Sequence, residues 1–192
     1  MMSGKRLVLA AVVLALVQIG FLSWIIAGRA AVLRSGQEVV LKVEPIDPRD
    51  LLRGDYVVLS YEIRNVPVSI VSNAPADGAV ERDTPIFVSL GKDADGYWRA
   101  RSASLHAPAG QTAVGEVDIR GFITSGPFGS DLAYNVGYGI DRYYVPEGEG
   151  RAIETDMRER PFGVLAAVAS DGTAQIKALL DGQTPLYEEP LY

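Results

Sequence analysis

From Lys5 to Arg34 the chain contains no aspartate or glutamate, and all 24 of its acidic residues lie at or beyond Glu38. Within that acid-free stretch, Leu7 to Ile26 is apolar apart from Gly20, Gln18, Ser23 and the small alanines. About 20 residues at ~1.5 Å rise make a helix about 30 Å long, the thickness of a bilayer's hydrocarbon core. The run predicts one membrane-spanning helix over 7–26. Residues 1–6 then form a short cytoplasmic terminus, 27–35 a juxtamembrane linker and 36–192 a domain on the other side.

Lys5 and Arg6 precede the apolar run, and the positive-inside bias places them in the cytoplasm. Arg29 and Arg34, on the far side, oppose that orientation. A cleaved signal peptide would open the same way, but its apolar core spans only about 7 to 15 residues and ends in a small-residue cleavage site. Here Arg29 interrupts Ala27 to Ala31 where a small residue would help, so an uncleaved anchor is the preferred reading. Trp24 near the outer end fits an interfacial anchor.

Beyond Gly36 there remain 14 Lys and Arg against 24 acids, a formal charge of −10. Such a domain repels nucleic acid and anionic headgroups alike. The membrane contact therefore belongs to the helix. With no cysteine in the chain, disulfides, thiol catalysis and cysteine-based zinc sites are excluded.

Residues 36–192 are of ordinary single-domain size, with no low-complexity linker. Short β-branched and aromatic runs alternate with Gly, Pro, Asp and Asn, the pattern of an antiparallel β domain. The fold class is mainly β, a β-rich α+β domain with one short helix. Val39 to Val43 and Tyr56 to Ile63 are the first two predicted strands. Pro85 to Leu90 and Tyr97 to Ala103 flank the hairpin signal Asp93-Ala94-Asp95-Gly96. Gly115 to Thr124 and Ala133 to Ile140 form a further pair across Gly126-Pro127-Phe128-Gly129. Val164 to Ala169 and Ala174 to Leu180 bracket Asp171-Gly172, the clearest two-residue turn. Ile153 and Met157, four apart, predict a short helix over 148–158. Asn73 to Asp83 and the tail from Gln183 to Tyr192 read as loop or extended chain.

One segment is specific. Arg53-Gly54-Asp55-Tyr56-Val57-Val58-Leu59-Ser60-Tyr61 contains Gly54, Asp55, Tyr56, Leu59 and Tyr61 in the spacing that names the GDYXXLXY family of bacterial membrane-associated proteins. The resemblance extends to the layout of the whole chain and to a later block, Tyr138-Gly139-Ile140-Asp141 to Val145-Pro146-Glu147-Gly148, that is similar to the family's second signature. It implies a single-pass protein of the bacterial inner membrane with its domain in the periplasm or otherwise outside the cytoplasm. It also implies a multi-pass membrane protein as partner, but carries no activity with it.

Strand alternation sorts the motif. Asp55, Val57, Leu59 and Tyr61 share one face, and Tyr56, Val58, Ser60 and Glu62 the other. Large residues on both faces predict a central strand covered on both sides, with both tyrosines buried and their hydroxyls partnered. Asp55 either accepts backbone N–H bonds in the preceding turn or pairs with Arg49 or Arg53, the more economical reading. The sharper one has Asp47, Asp50, Asp55, Asp141 and Glu147 converge as a carboxylate site for calcium or acid-base chemistry.

Other motifs are weaker. Arg53-Gly54-Asp55 is an adhesive tripeptide, yet it runs straight into an apolar strand. Asp93-x-Asp95-Gly96 opens like a calcium loop but lacks the distal bidentate glutamate, so a solvated turn is the reading. His106 is the sole histidine and has no nucleophile signature nearby. Tyr134 and Tyr138 fall on a core face, whereas Tyr143 and Tyr144, beside Arg142, are the expected exceptions. Glu147, Glu149 and Glu154 favour the positive end of the short helix. An anchor followed by Gly54-Asp55 and a strand also looks faintly like type I signal peptidases, but no serine stands between Gln37 and Leu59, and only Lys92 and Lys177 follow the motif.

These readings lead to a non-enzymatic interaction module with no catalytic residue, cofactor or metal assigned. The expected surface comprises Arg53, Asp55, Asp141, Arg142, Tyr143, Tyr144, Glu147 and Glu149, supported by Gly54, Tyr56, Leu59 and Tyr61. The alternatives are an acidic ligand- or metal-binding domain and a carboxylate-dependent hydrolase.

Overall fold

The computed structural model describes residues 4–44, 56–108, 113–127, 132–146, 148 and 150–188. A single helix, α1 (Gly4–Ser35), contains the apolar run, and Leu7–Ser35 is long and apolar enough to cross a membrane. Its large apolar side chains from Leu7 to Ile26 are exposed. A helix that is apolar all round and uncovered by protein is suited to lipid. The helix does not stop at Ile26: residues 27–35, read from sequence as a linker, are its last turns.

The rest of the described chain is β1 (Gln37–Glu44), β2 (Tyr56–Val58), β3 (Ser60–Tyr61), β4 (Asn65–Pro67), β5 (Pro85–Lys92), β6 (Trp98–Leu105), β7 (Glu116–Ser125), β8 (Ala133–Gly137), β9 (Arg142–Tyr144), α2 (Gly150–Glu159), β10 (Phe162–Val168), β11 (Ala174–Asp181) and β12 (Thr184–Glu188). They build a five-stranded sheet in the order β12-β11-β10-β1-β3, a second in the order β4-β8-β7-β5-β6, and a two-stranded ribbon β2-β9. The strand pairs are antiparallel. All three predicted hairpin pairings form. The predicted helix over 148–158 is α2, with Ile153 and Met157 buried as its apolar stripe.

Alternation makes the core. Val39, Leu41, Val43, Val164, Ala166 and Leu179 of the first sheet meet Ile86, Val88, Leu90, Ile119, Ile123 and Val136 of the second in one contiguous cluster. The two sheets are also joined at an edge. The β10–β11 turn reaches β7, where the Arg120 N–H donates to the Gly172 carbonyl at 2.8 Å. At the other end of the chain, part of the tail forms β12 at a sheet edge, and 189–192 lie outside the described residues.

The motif departs from the expected central strand. It divides at Leu59: β2 pairs with β9, while β3 pairs with β1 (Val43 opposite Tyr61). Val57, Leu59 and Tyr61 are buried, but Tyr56 and Ser60 are only half-buried and Val58 is 40 % exposed. The strand is covered on one side because its β2 part sits in a narrow ribbon and not inside a wide sheet.

Candidate functional site

The register of the ribbon brings the two signature segments together: Tyr56 lies opposite Tyr144, Val57 opposite Tyr143 and Val58 opposite Arg142. The contact continues past the ribbon. The Leu59 N–H donates to the Asp141 carbonyl at 2.9 Å. The Tyr61 hydroxyl donates to the Ile140 carbonyl at 2.6 Å, and the Tyr138 hydroxyl to the Ile63 carbonyl at 2.8 Å. Each segment thus spends a buried tyrosine on the backbone of the other. Burial raises the Tyr61 hydroxyl well above the ordinary tyrosine range, with Asp141 adding to the rise, and burial raises Tyr138 also. Both remain protonated donors.

The two faces of this unit differ sharply. Inward lie Val57, Leu59, Tyr61, Tyr138, Ile140 and Tyr143, all in the core cluster. Outward stand Tyr56, Val58, Arg142 and Tyr144. The Tyr56 and Tyr144 rings meet edge-on, 6.0 Å apart at 61°, and the Arg142 guanidinium lies 5.4 Å from the Tyr56 ring centre. Such a cation–π contact contributes about 0.5–1 kcal/mol at an exposed site. Tyr144 is 72 % exposed, and Arg142 makes no ion pair among the described residues. The platform is therefore two aromatic rings, an isopropyl group and an exposed cation stacked on one of the rings, on an otherwise acidic domain.

Tyr143 corrects the sequence reading, which kept it with Tyr144 as an exception to core packing. It is 3 % exposed, because a strand that turns Arg142 and Tyr144 outward must turn Tyr143 in. Tyr134 and Tyr138 are buried as expected, with the Tyr134 hydroxyl donating to the Gly78 carbonyl at 3.0 Å. Arg53, Gly54, Asp55, Glu147 and Glu149 lie outside the described residues, as do Asp47 and Asp50. The carboxylate-site reading falls largely on them.

Asp141 adjoins the platform, with its carboxyl half-buried. Burial raises its pKa above the usual aspartate value, against the opposing pull of Arg64 and Arg142. A carboxyl whose folded pKa is raised holds its proton better in the folded state, so its contribution to stability falls as pH rises from the unfolded value to the folded one. Above that window the cost is constant. Asp141→Asn keeps the backbone bond to Leu59 and is expected to raise the melting temperature at pH 7 but not below pH ~3.5, the acid side of the free carboxyl's titration. Equal shifts at both pH values in a thermal melt would contradict this account.

The acids of the calcium-like turn have another role. Arg99 donates to Asp93 at 2.6 Å, to Asp95 at 2.7 Å and to Glu62 at 2.8 Å, and Arg101 also pairs with Asp93. Hydrogen bonds from Arg99 hold both aspartates below their ordinary pKa, with Arg101 helping at Asp93. A guanidinium fills the place a metal would need, and no group of three metal-ligating side chains occurs among the described residues. The alternating charges around the turn were the signal for this cluster. His106 is exposed in a left-handed backbone conformation, φ +68°.

A separate groove of ≈ 840 Å³ lies where the end of α1 meets β7 and the β10–β11 turn, lined by Ser35, Phe87, Asp118, Arg120 and Asp171 among others. Three of its charged groups, Asp118, Arg120 and Asp171, are engaged within the fold. Ser89 Oγ donates to Asp118 at 2.6 Å, the Thr173 N–H donates to Asp171 at 2.9 Å, and Arg120 donates to Thr173 Oγ1 at 3.2 Å.

Fold and site together define a β-rich domain carried on one apolar amino-terminal helix, with two distant signature segments cross-paired beneath an exposed aromatic platform. The model of the family described as GDYXXLXY protein matches residues 18–179, and the chain belongs to that family. No curated protein and no solved structure matches it.

Proposed function

We propose that this protein is a non-enzymatic interaction module of the bacterial inner membrane, its β domain outside the cytoplasm, which docks a multi-pass membrane protein through the outward face of β2 and β9. The observation that carries the reading is the platform of Tyr56, Val58, Arg142 and Tyr144. Aromatic residues and arginine dominate binding energy at protein interfaces, the aromatics because they bury large area with few rotors and arginine because its planar fork both pairs and stacks. Here Val58, Arg142 and Tyr144 stand exposed, with Tyr56 half-buried beside them, on strands whose other faces are used by the core. A helix in the bilayer confines the domain to a surface, which raises its effective concentration toward partners in the same membrane.

The test is photocrosslinking in native membranes with a photoreactive residue at position 144. A specific adduct with a second membrane protein is expected, and it should disappear when Arg142→Glu is added. Tyr144 is exposed, so its replacement should leave the unfolding free energy within about 0.5 kcal/mol of wild type. Self-adducts alone, or none, would sink the proposal.

A further inference from the structure

We infer that α1 is retained in the mature protein and that its last turns are a structural element of the β domain, fixing that domain in one orientation relative to the membrane. The inference rests on the reading of α1 as membrane-spanning and goes beyond it. A tether and a rigid mount both anchor a domain. Only the second requires the helix to be built into the fold.

Three observations point to a mount. The first is burial: along α1 the exposed apolar surface gives way to Ala30, 8 % exposed, and Leu33, 5 % exposed, where the helix contacts β10 and β11. The second is what those residues cover. Val164, Ala166 and Val168 face the central core, so Ala167 faces the other way. Ala167 and Ala178 are both buried yet lie outside the central cluster. Small residues on a sheet face let a helix approach closely, and without α1 they would be open to water.

The third observation is the junction. A single residue, Gly36, separates α1 from β1, and its N–H still bonds the Val32 carbonyl at 2.8 Å. A Cβ placed there would lie 2.6 Å from the Val32 oxygen, 3.0 Å from the Val168 nitrogen and 3.1 Å from the Ala167 Cβ. Backbone is packed on both sides, so the junction has no slack in which to hinge. Beside it Lys177 pairs with Glu38 at 2.5 Å, tying β11 to the first residues of β1. Since the β10–β11 turn is also bonded to β7, a tilt of the helix carries both sheets with it.

The same packing bears on retention: removing the helix would strip Ala30 and Leu33 from the fold and uncover the buried Ala167 and Ala178 beneath them. The chain contains no cysteine, so spin labels can be placed without background. Full-length protein in nanodiscs is labelled at Ile26→Cys and Thr184→Cys, with the exposed Leu132→Cys and Thr184→Cys, at opposite ends of the domain, as an internal domain reference. Electron–electron distance measurement is expected to give the helix–domain pair a single peak as narrow as the reference. Leu33→Asp should lose that narrow peak while the reference pair stays narrow.

A broad wild-type distribution beside a narrow reference would overturn the mount and leave the anchor standing. An intact mass lacking the helix would overturn both. If Leu33→Asp also broadens the reference, the variant has lost its fold, and the wild-type comparison decides alone.

Discussion

Tyr61→Ala is expected to lower the unfolding free energy by about 3–5 kcal/mol, the range for removing a buried aromatic side chain. Tyr61 is among the largest fully buried side chains in the domain, and its loss opens a cavity among β1, β3 and the Tyr138–Asp141 segment. Tyr61→Phe separates the two contributions. It keeps the ring but leaves the Ile140 carbonyl without its donor, at a cost of about 1–3 kcal/mol. Tyr56→Ala is the contrasting case, because that ring lies on the half-open face, and its cost should stay below about 1 kcal/mol. Denaturant titration of the full-length protein in detergent, followed by tryptophan fluorescence, ranks the three. An equal effect at Tyr56 and Tyr61 would contradict the one-sided burial of the motif.

Gly172→Val should destabilise by about 2–5 kcal/mol, with ~1–2 kcal/mol from the left-handed backbone and ~1–3 kcal/mol from forced displacement of packed neighbours. Gly172 has φ +82°, and a Cβ there would lie 2.9 Å from both the backbone nitrogen and the Cβ of Arg120. Neither of those atoms is the loose end of a side chain. The substitution therefore pushes the β10–β11 turn off β7 and weakens the join between the two sheets. Amide exchange gives the diagnostic reading: the Arg120 N–H, protected by the Gly172 carbonyl, should exchange faster in the variant. Unchanged protection with a lowered melting temperature would place the damage in the turn alone.

The two substitutions differ in how visible their causes are from sequence. Asp171-Gly172 announces a hairpin because a two-residue turn needs positive φ, and that is a local requirement. That the same glycine lets one sheet dock on the other depends on residues some fifty positions away, which no local pattern records. Tyr61 was legible as a buried tyrosine needing a partner, since alternation sets its face. Its partner, the Ile140 carbonyl, was not, because pairing across such a separation follows from global packing. Tyr143 and Val58 mark the same boundary. Alternation relates neighbours within a strand, but which face meets the core is decided by what the strand packs against.

The sequence by itself determined the apolar helix, the β-rich class, the hairpin turns, the short amphipathic helix and the family. Each of these follows from periodicity, backbone preference or a contiguous motif, and all three are properties of nearby residues. Only the tertiary structure decided that the motif splits between two pairings and that its two signature segments exchange tyrosine hydrogen bonds. The same holds for Tyr56, Val58, Arg142 and Tyr144 gathering on one open face, and for the end of the helix belonging to the domain it carries. Those outcomes come from the burial of apolar surface summed over the whole chain, which rewards contacts between residues far apart in sequence.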